Sequence, residues 1–145
     1  MTKIHFFEVK KPLPGYLEKI NSLIRLLSST ASPITQNDME VLVGSSDSHL
    51  YFMSVDGEVA AMCTLASYPA PTGRKAWIED VVVDEKYRGM GLGRMIVENA
   101  IREARQYAPC TLMLTSRPAR TAANTLYRTT GFERKETNVY RMTIV

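Results

Sequence analysis

Strand-patterned and helix-patterned segments alternate along these 145 residues, and the alternation predicts an α/β (α+β) fold. Two periodicities carry the prediction. Leu17, Ile20, Leu23, Ile24 and Leu27 recur at helical spacing, and so do the rows Leu92, Ile96, Ala100 and Val97, Ile101, Ala104. Between them, Leu50 to Val55, Glu58 to Ala66 and Lys75 to Val83 read as strands, the first two joined by the hairpin turn Asp56-Gly57. The length suits one domain, 1–145, large enough to bury a real core.

Element by element, Lys3 to Val9 alternates weakly as a first strand until Pro12 and Pro14-Gly15 break it. The helix through Leu27 ends at Ser28-Ser29-Thr30 and Pro33, and Thr35 with Asp38 three residues on marks the start of a second helix carrying Met39 and Leu42. After the hairpin, Val81-Val82-Val83 is β-branched and apolar on both faces, as in a buried central strand. A long amphipathic helix then runs to about Ala108, where Pro109 stops it. Thr111 to Thr115 gives a strand, Arg120 to Thr130 a helix capped by Gly131, and Val139 to Ile144 a last strand.

Composition removes several function classes. With 45% hydrophobic and 23% charged residues, no apolar run long enough to span a bilayer, and an N-terminus interrupted by Lys3, His5 and Glu8, the chain is expected to be cytoplasmic and without a membrane partner. Cys63 and Cys110 are isolated and the only histidines are His5 and His49, which predicts neither a disulfide framework nor a metal site. The charge of +3 is modest, and Arg117, Arg120, Arg128 and Arg134 lack interleaved aromatics, so nucleic acid is not an expected partner.

The segment Arg88-Gly89-Met90-Gly91-Leu92-Gly93 stands between a buried strand and a long helix. Such a turn leaves amide groups unpaired at the positive end of the helix dipole, and glycines let an anion approach the backbone. It suits a phosphate. The plainer reading is a glycine-rich connection with no ligand. A Walker loop is absent, and Arg94 stands where a dinucleotide fingerprint needs its third glycine.

The segment resembles the Arg/Gln-x-x-Gly-x-Gly/Ala pyrophosphate loop of the GCN5-related N-acetyltransferase (GNAT) superfamily. Trp77 to Val83 is similar to that family's central strand, and Ala122-Ala123-Asn124-Thr125-Leu126-Tyr127 with Thr130-Gly131-Phe132 is similar to its late helix and following turn. The order of elements agrees over nearly the whole chain. The resemblance implies a mixed, twisted sheet of six to seven strands flanked by about four helices, with acetyl-CoA as co-substrate and an amine, of a small molecule first, as acceptor. It also implies that the pantetheine arm pairs along Val81, Val82 and Val83. The pyrophosphate would lie on Arg88, Gly89, Met90, Gly91, Leu92, Gly93 and Arg94, with Asn124 touching the cofactor. Many relatives are homodimers.

An alkyl ammonium has a pKa of about 10.4 and must lose a proton before it can attack a thioester. Glu79 and Asp80 are the candidate bases. Strand alternation lets only one of them face the cleft unless a bulge, frequent in this family's strand, intervenes. Their other reading is surface pairing. Tyr127, three residues after Asn124 on the same helix face, is the candidate for protonating the departing thiolate, and core packing of an aromatic is its other reading. An acetyl-CoA sensor without turnover, or an enzyme acting on peptide or protein amines, stays open as an alternative.

Overall fold

Five strands form one sheet in the order β1-β2-β3-β4-β5 in the computed structural model, which describes Met1–Val145. They are β1 (Ile4–Glu8), β2 (Ser48–Val55), β3 (Glu58–Tyr68), β4 (Arg74–Val83) and β5 (Cys110–Met113). β1 to β4 pair antiparallel, and β5 lies parallel to β4. A parallel neighbour requires a crossover, which α3 (Leu92–Ala104) provides. The chain divides into two compact units, Met1–Thr115 and Ser116–Val145.

Cross-strand partners point to the same side of a sheet, so the register defines its two faces. Leu50, Phe52, Met62 and Val82 lie on one face, where they are buried against Ile20 and Leu23 of α1 (Tyr16–Leu27) and Met39 of α2 (Gln36–Gly44). Ala61, Cys63, Leu65 and Ile78 occupy the other face, covered by Ile96, Val97 and Ala100 of α3. Each large apolar side chain fully buried here stabilises the fold by about 1.5–3 kcal/mol.

Local chemistry agrees with these elements. Thr35 accepts a hydrogen bond from the Asp38 amide while the Asp38 carboxylate accepts one from the Thr35 amide, the reciprocal cap expected for α2. Asp56 and Gly57 both have positive φ, at 49° and 87°, as the tight β2–β3 turn requires. The helix expected to reach Ala108 stops earlier. α3 ends at Ala104 and tightens into a 3-10 turn, Arg105–Tyr107, because Pro109 disfavours helical geometry in the residue before it.

The second unit contains α4 (Thr121–Thr129). Gly131, at φ 112°, ends it in a Schellman arrangement: the Phe132 amide donates to Tyr127 O at 3.0 Å and the Gly131 amide to Arg128 O at 3.4 Å. The expected strand Val139–Ile144 is absent. These residues are exposed and form no ladder, so the sheet has five strands instead of six or seven. Alternating side chains select faces but supply no partner, and a strand without a ladder leaves its backbone to water. No helix is long and apolar enough to cross a membrane.

Candidate active site

β4 has different neighbours along its length. From Arg74 to Trp77 it pairs with β3 on one side and with β5, Cys110 to Met113, on the other. β5 then ends, and β4 continues from Ile78 to Val83 with no strand on that side. An extended ligand arm can add there as a strand, the role that the family resemblance implies for Val81, Val82 and Val83.

At the same place β4 bulges. Thr64 pairs with Glu79 and Met62 with Val82, so Asp80 and Val81 together oppose Cys63 alone. Asp80 takes the extra residue's conformation, with φ 52°, in the left-handed region that Asp tolerates better than most residues. The bulge changes the parity of the strand. Glu79 and Val82, three residues apart, would point oppositely in a regular strand, yet their partners Thr64 and Met62 place both on the α1/α2 face. The exclusion of one acid by simple alternation therefore does not hold, and both Glu79 and Asp80 are exposed. Partial burial, then the neighbouring Asp80 carboxylate, raises the Glu79 pKa above the usual carboxylate value.

The glycine loop follows a 3-10 turn, Glu85–Tyr87, capped by Asp84, whose carboxylate accepts from the Lys86 amide at 3.1 Å. Lys19 of α1 pairs with Asp84 at 3.2 Å, and the Tyr87 hydroxyl donates to Glu58 of β3. The turn is thus tied to two elements of the core before the loop begins. Gly89 and Gly91 have φ of 87° and 78°, and a Cβ built on either meets no protein atom within 4 Å. Nothing in the chain requires their bareness except backbone conformation and open space in front of it. The Met95 amide makes the first α-type bond, to Gly91 O at 3.1 Å, so the amides of Leu92 and Gly93 precede the helical ladder. Arg94 reaches Glu98 at 3.5 Å, one turn along α3. Open backbone, early amides and the adjacent Arg88 fit a diphosphate chemically.

In the second unit, Asn124 donates its side-chain amide to Arg117 O at 3.0 Å, fastening the start of α4 to the preceding loop. The Tyr127 ring meets Phe132 edge-on at 6.1 Å between centroids, the apolar contact that accompanies a Schellman cap. That contact explains why an aromatic follows Gly131. Cys63 is buried, and burial pushes its thiol up to about 12, which removes it as a nucleophile at neutral pH. No three His, Cys, Asp or Glu residues are grouped to hold a metal ion.

Trp77 opens the segment similar to the family's central strand, where the sequence gives it no role of its own, and its place two residues before Glu79 puts it on the same strand face. Its indole N–H donates to the Tyr68 hydroxyl at 3.1 Å.

Comparison with known proteins gives the family. The profile of the acetyltransferase (GNAT) family matches residues 20–132, across both units. No curated protein sequence matches the chain. Among solved structures, a protein of Agrobacterium tumefaciens str. C58 named as an acetyltransferase is similar at a TM-score of 0.82 and 23% identity, over 97% of this chain and 99% of that one. A transcriptional regulator from Bacillus halodurans C-125 is similar at a TM-score of 0.81 and 19% identity, over 97% and 100% of the two chains. The aminoglycoside N-acetyltransferase AAC(6')-Iy in complex with CoA gives a TM-score of 0.81 at 14% identity, over 99% and 96%. At these identities the structures establish a shared fold, and the profile establishes descent: the chain belongs to the acetyltransferase (GNAT) family.

Proposed function

We propose that the chain is one GNAT domain, acting in the cytoplasm, that moves the acetyl group of acetyl-CoA directly to the amine of a small molecule in a ternary complex. The observation that carries this reading is the bulge at Asp80, which sets the Glu79 carboxylate on the α1/α2 face where β4 has lost its β5 partner. Glu79, directly or through one water, takes the proton from the acceptor ammonium, with Asp80 as the nearest competitor. Its raised pKa suits a base working near neutrality.

The amine nitrogen then attacks the thioester carbonyl carbon, and the oxygen's developing charge is met by a β4 amide near Val81. Collapse breaks the C–S bond, Tyr127 gives its proton to the leaving thiolate, and the second proton of the acylated nitrogen passes through solvent to the tyrosinate, leaving a neutral amide and the CoA thiol. The Arg88 to Arg94 loop holds the diphosphate, and Val81 to Val83 align the pantetheine arm. Aminoglycoside acetyltransferases among the structural neighbours support a small, polar amine as acceptor.

The test is to follow free thiol from acetyl-CoA with a panel of amino sugars, polyamines, amino acids and peptides. Thiol release matched by acetylated amine supports transfer. Acetyl-CoA binding with no release from any amine overturns it in favour of a sensor, and release with peptides alone overturns the small-molecule acceptor.

A further inference from the structure

We infer that Trp77 and Tyr68 form a platform for a saturated, hydroxylated ring, so that the acceptor is an amino sugar whose amine reaches Glu79; the inference rests on the acetyl-transfer reading above. On the α1/α2 face, Lys75, Trp77 and Glu79 of β4 stand opposite Tyr68, Ala66 and Thr64 of β3. Ala66 is small, so the indole can lie diagonally toward Tyr68, where its N–H finds the hydroxyl. That bond satisfies the indole's single donor and leaves the Tyr68 O–H free to donate to a ligand. Tyr68 is 47% exposed, among the large hydrophobic side chains that the fold leaves at its surface. The two rings therefore offer a fixed apolar surface with one hydrogen-bond donor at its rim.

Charge along the same row selects the ligand. Glu79 stands two residues from Trp77, about 6.6 Å along the strand, roughly the span from the middle of a ring through an amine on its edge to the carboxylate that accepts its hydrogen bond. With Asp80 beside it, that end favours a cation. Lys75, two residues beyond Trp77 on the other side, disfavours a second cation. A linear diamine long enough to cover the indole would bring an ammonium toward Lys75, whereas an amino sugar brings neutral hydroxyls. The row thus fits one amine, one apolar ring face and one hydroxylated edge, in that order.

Trp77 is the only tryptophan of the chain, so its fluorescence reports on the platform without turnover. With CoA present in place of acetyl-CoA, glucosamine should change the emission saturably and putrescine should not. Tyr68→Phe should weaken glucosamine roughly 3- to 10-fold, by loss of one hydrogen-bonding hydroxyl. Trp77→Leu should raise KM for glucosamine on the order of 10-fold, with kcat within about twofold and acetyl-CoA affinity unchanged. Retained acetyl-CoA affinity also shows that the variant is folded. No saturable change with glucosamine, an equal change with putrescine, or a glucosamine KM indifferent to Trp77→Leu overturns the platform while leaving acetyl transfer standing. Failure of every amine to release thiol removes acetyl transfer instead, and the fluorescence titration still decides whether the ring site exists.

Discussion

The first and second halves of β4 share one strand but differ in what they can bind. Arg74 to Trp77 is paired on both edges, so its backbone is spent on the fold and only side chains remain for recognition. Ile78 to Val83 is paired on one edge and bulged at Asp80, so it retains main-chain groups and displays both acids. The chemistry we propose falls where the ladder is incomplete, a few residues from where it is complete. The two halves make different demands on substitution.

The largest expected effect lies just beyond the open half. Gly91→Val places a branched side chain in open space at φ 78°, so it should abolish measurable acetyl-CoA binding in calorimetry, a loss of more than about 10²-fold. Circular dichroism should still report a folded chain; binding at wild-type strength would take the diphosphate away from this loop.

Within the open half, Glu79→Gln should reduce turnover at pH 7 by roughly 10²-fold, less at higher pH where more of the amine is neutral. Because the folded-state pKa of Glu79 is raised, the acidic limb of the wild-type rate profile should lie above the ordinary carboxylate range and vanish in the variant. Stability should move the other way. A carboxyl with a raised folded pKa contributes stability that is lost as pH rises from its unfolded to its folded value, so Glu79→Gln should melt at pH 7 no lower than wild type. A lower melting temperature, or a rate profile that tracks wild type, would break the assignment.

Tyr127→Phe keeps the ring that packs on Phe132 and removes only the hydroxyl. It should lower turnover about tenfold or more with acetyl-CoA affinity nearly unchanged. Undiminished turnover would leave Tyr127 with its capping contact alone.

The smallest effect tests the bulge itself. Asp80→Val forces a β-branched residue into the left-handed region and should cost about 1–2 kcal/mol in chemical denaturation. Asp80→Gly tolerates φ 52° and deletes the carboxylate, so it should keep the stability and most of the turnover. If it instead loses as much turnover as Glu79→Gln, the base is Asp80.

These expectations depend on features unequally visible in the sequence. The spacing of Leu17 to Leu27, the Thr35/Asp38 cap and the Asp56-Gly57 turn mark their elements directly, because each acts within a few residues. The glycine loop was legible for the same reason. Whether Glu79 or Asp80 faces the helices was not, since the answer depends on two residues opposing Cys63, a matter of register between strands. A role for Trp77 beyond its strand was not legible, because its indole bond is to a diagonal neighbour nine positions away, Tyr68. The segment Val139 to Ile144 has the alternation of a strand and no ladder to join, so its pattern misled.

The parallel pairing of β4 with β5 also orders events in time. β2, β3 and β4 are joined by short connections and gather with little loop-closure entropy, whereas β5 reaches β4 only after the whole of α3 has crossed. The antiparallel meander should therefore be the part that protects its amides first in pulsed hydrogen exchange during refolding, and β5 the part that protects them later. The one-sided stretch Ile78 to Val83, where we propose that the donor arm adds, is not set apart from Arg74 to Trp77 until β5 arrives, so a nascent or partly opened chain can hold most of its sheet without that distinction. On the proposed reading acetyl-CoA binds only the finished arrangement and acts as a clasp on the last step of folding, stabilising it by an amount that grows with the logarithm of the donor's concentration once that exceeds Kd.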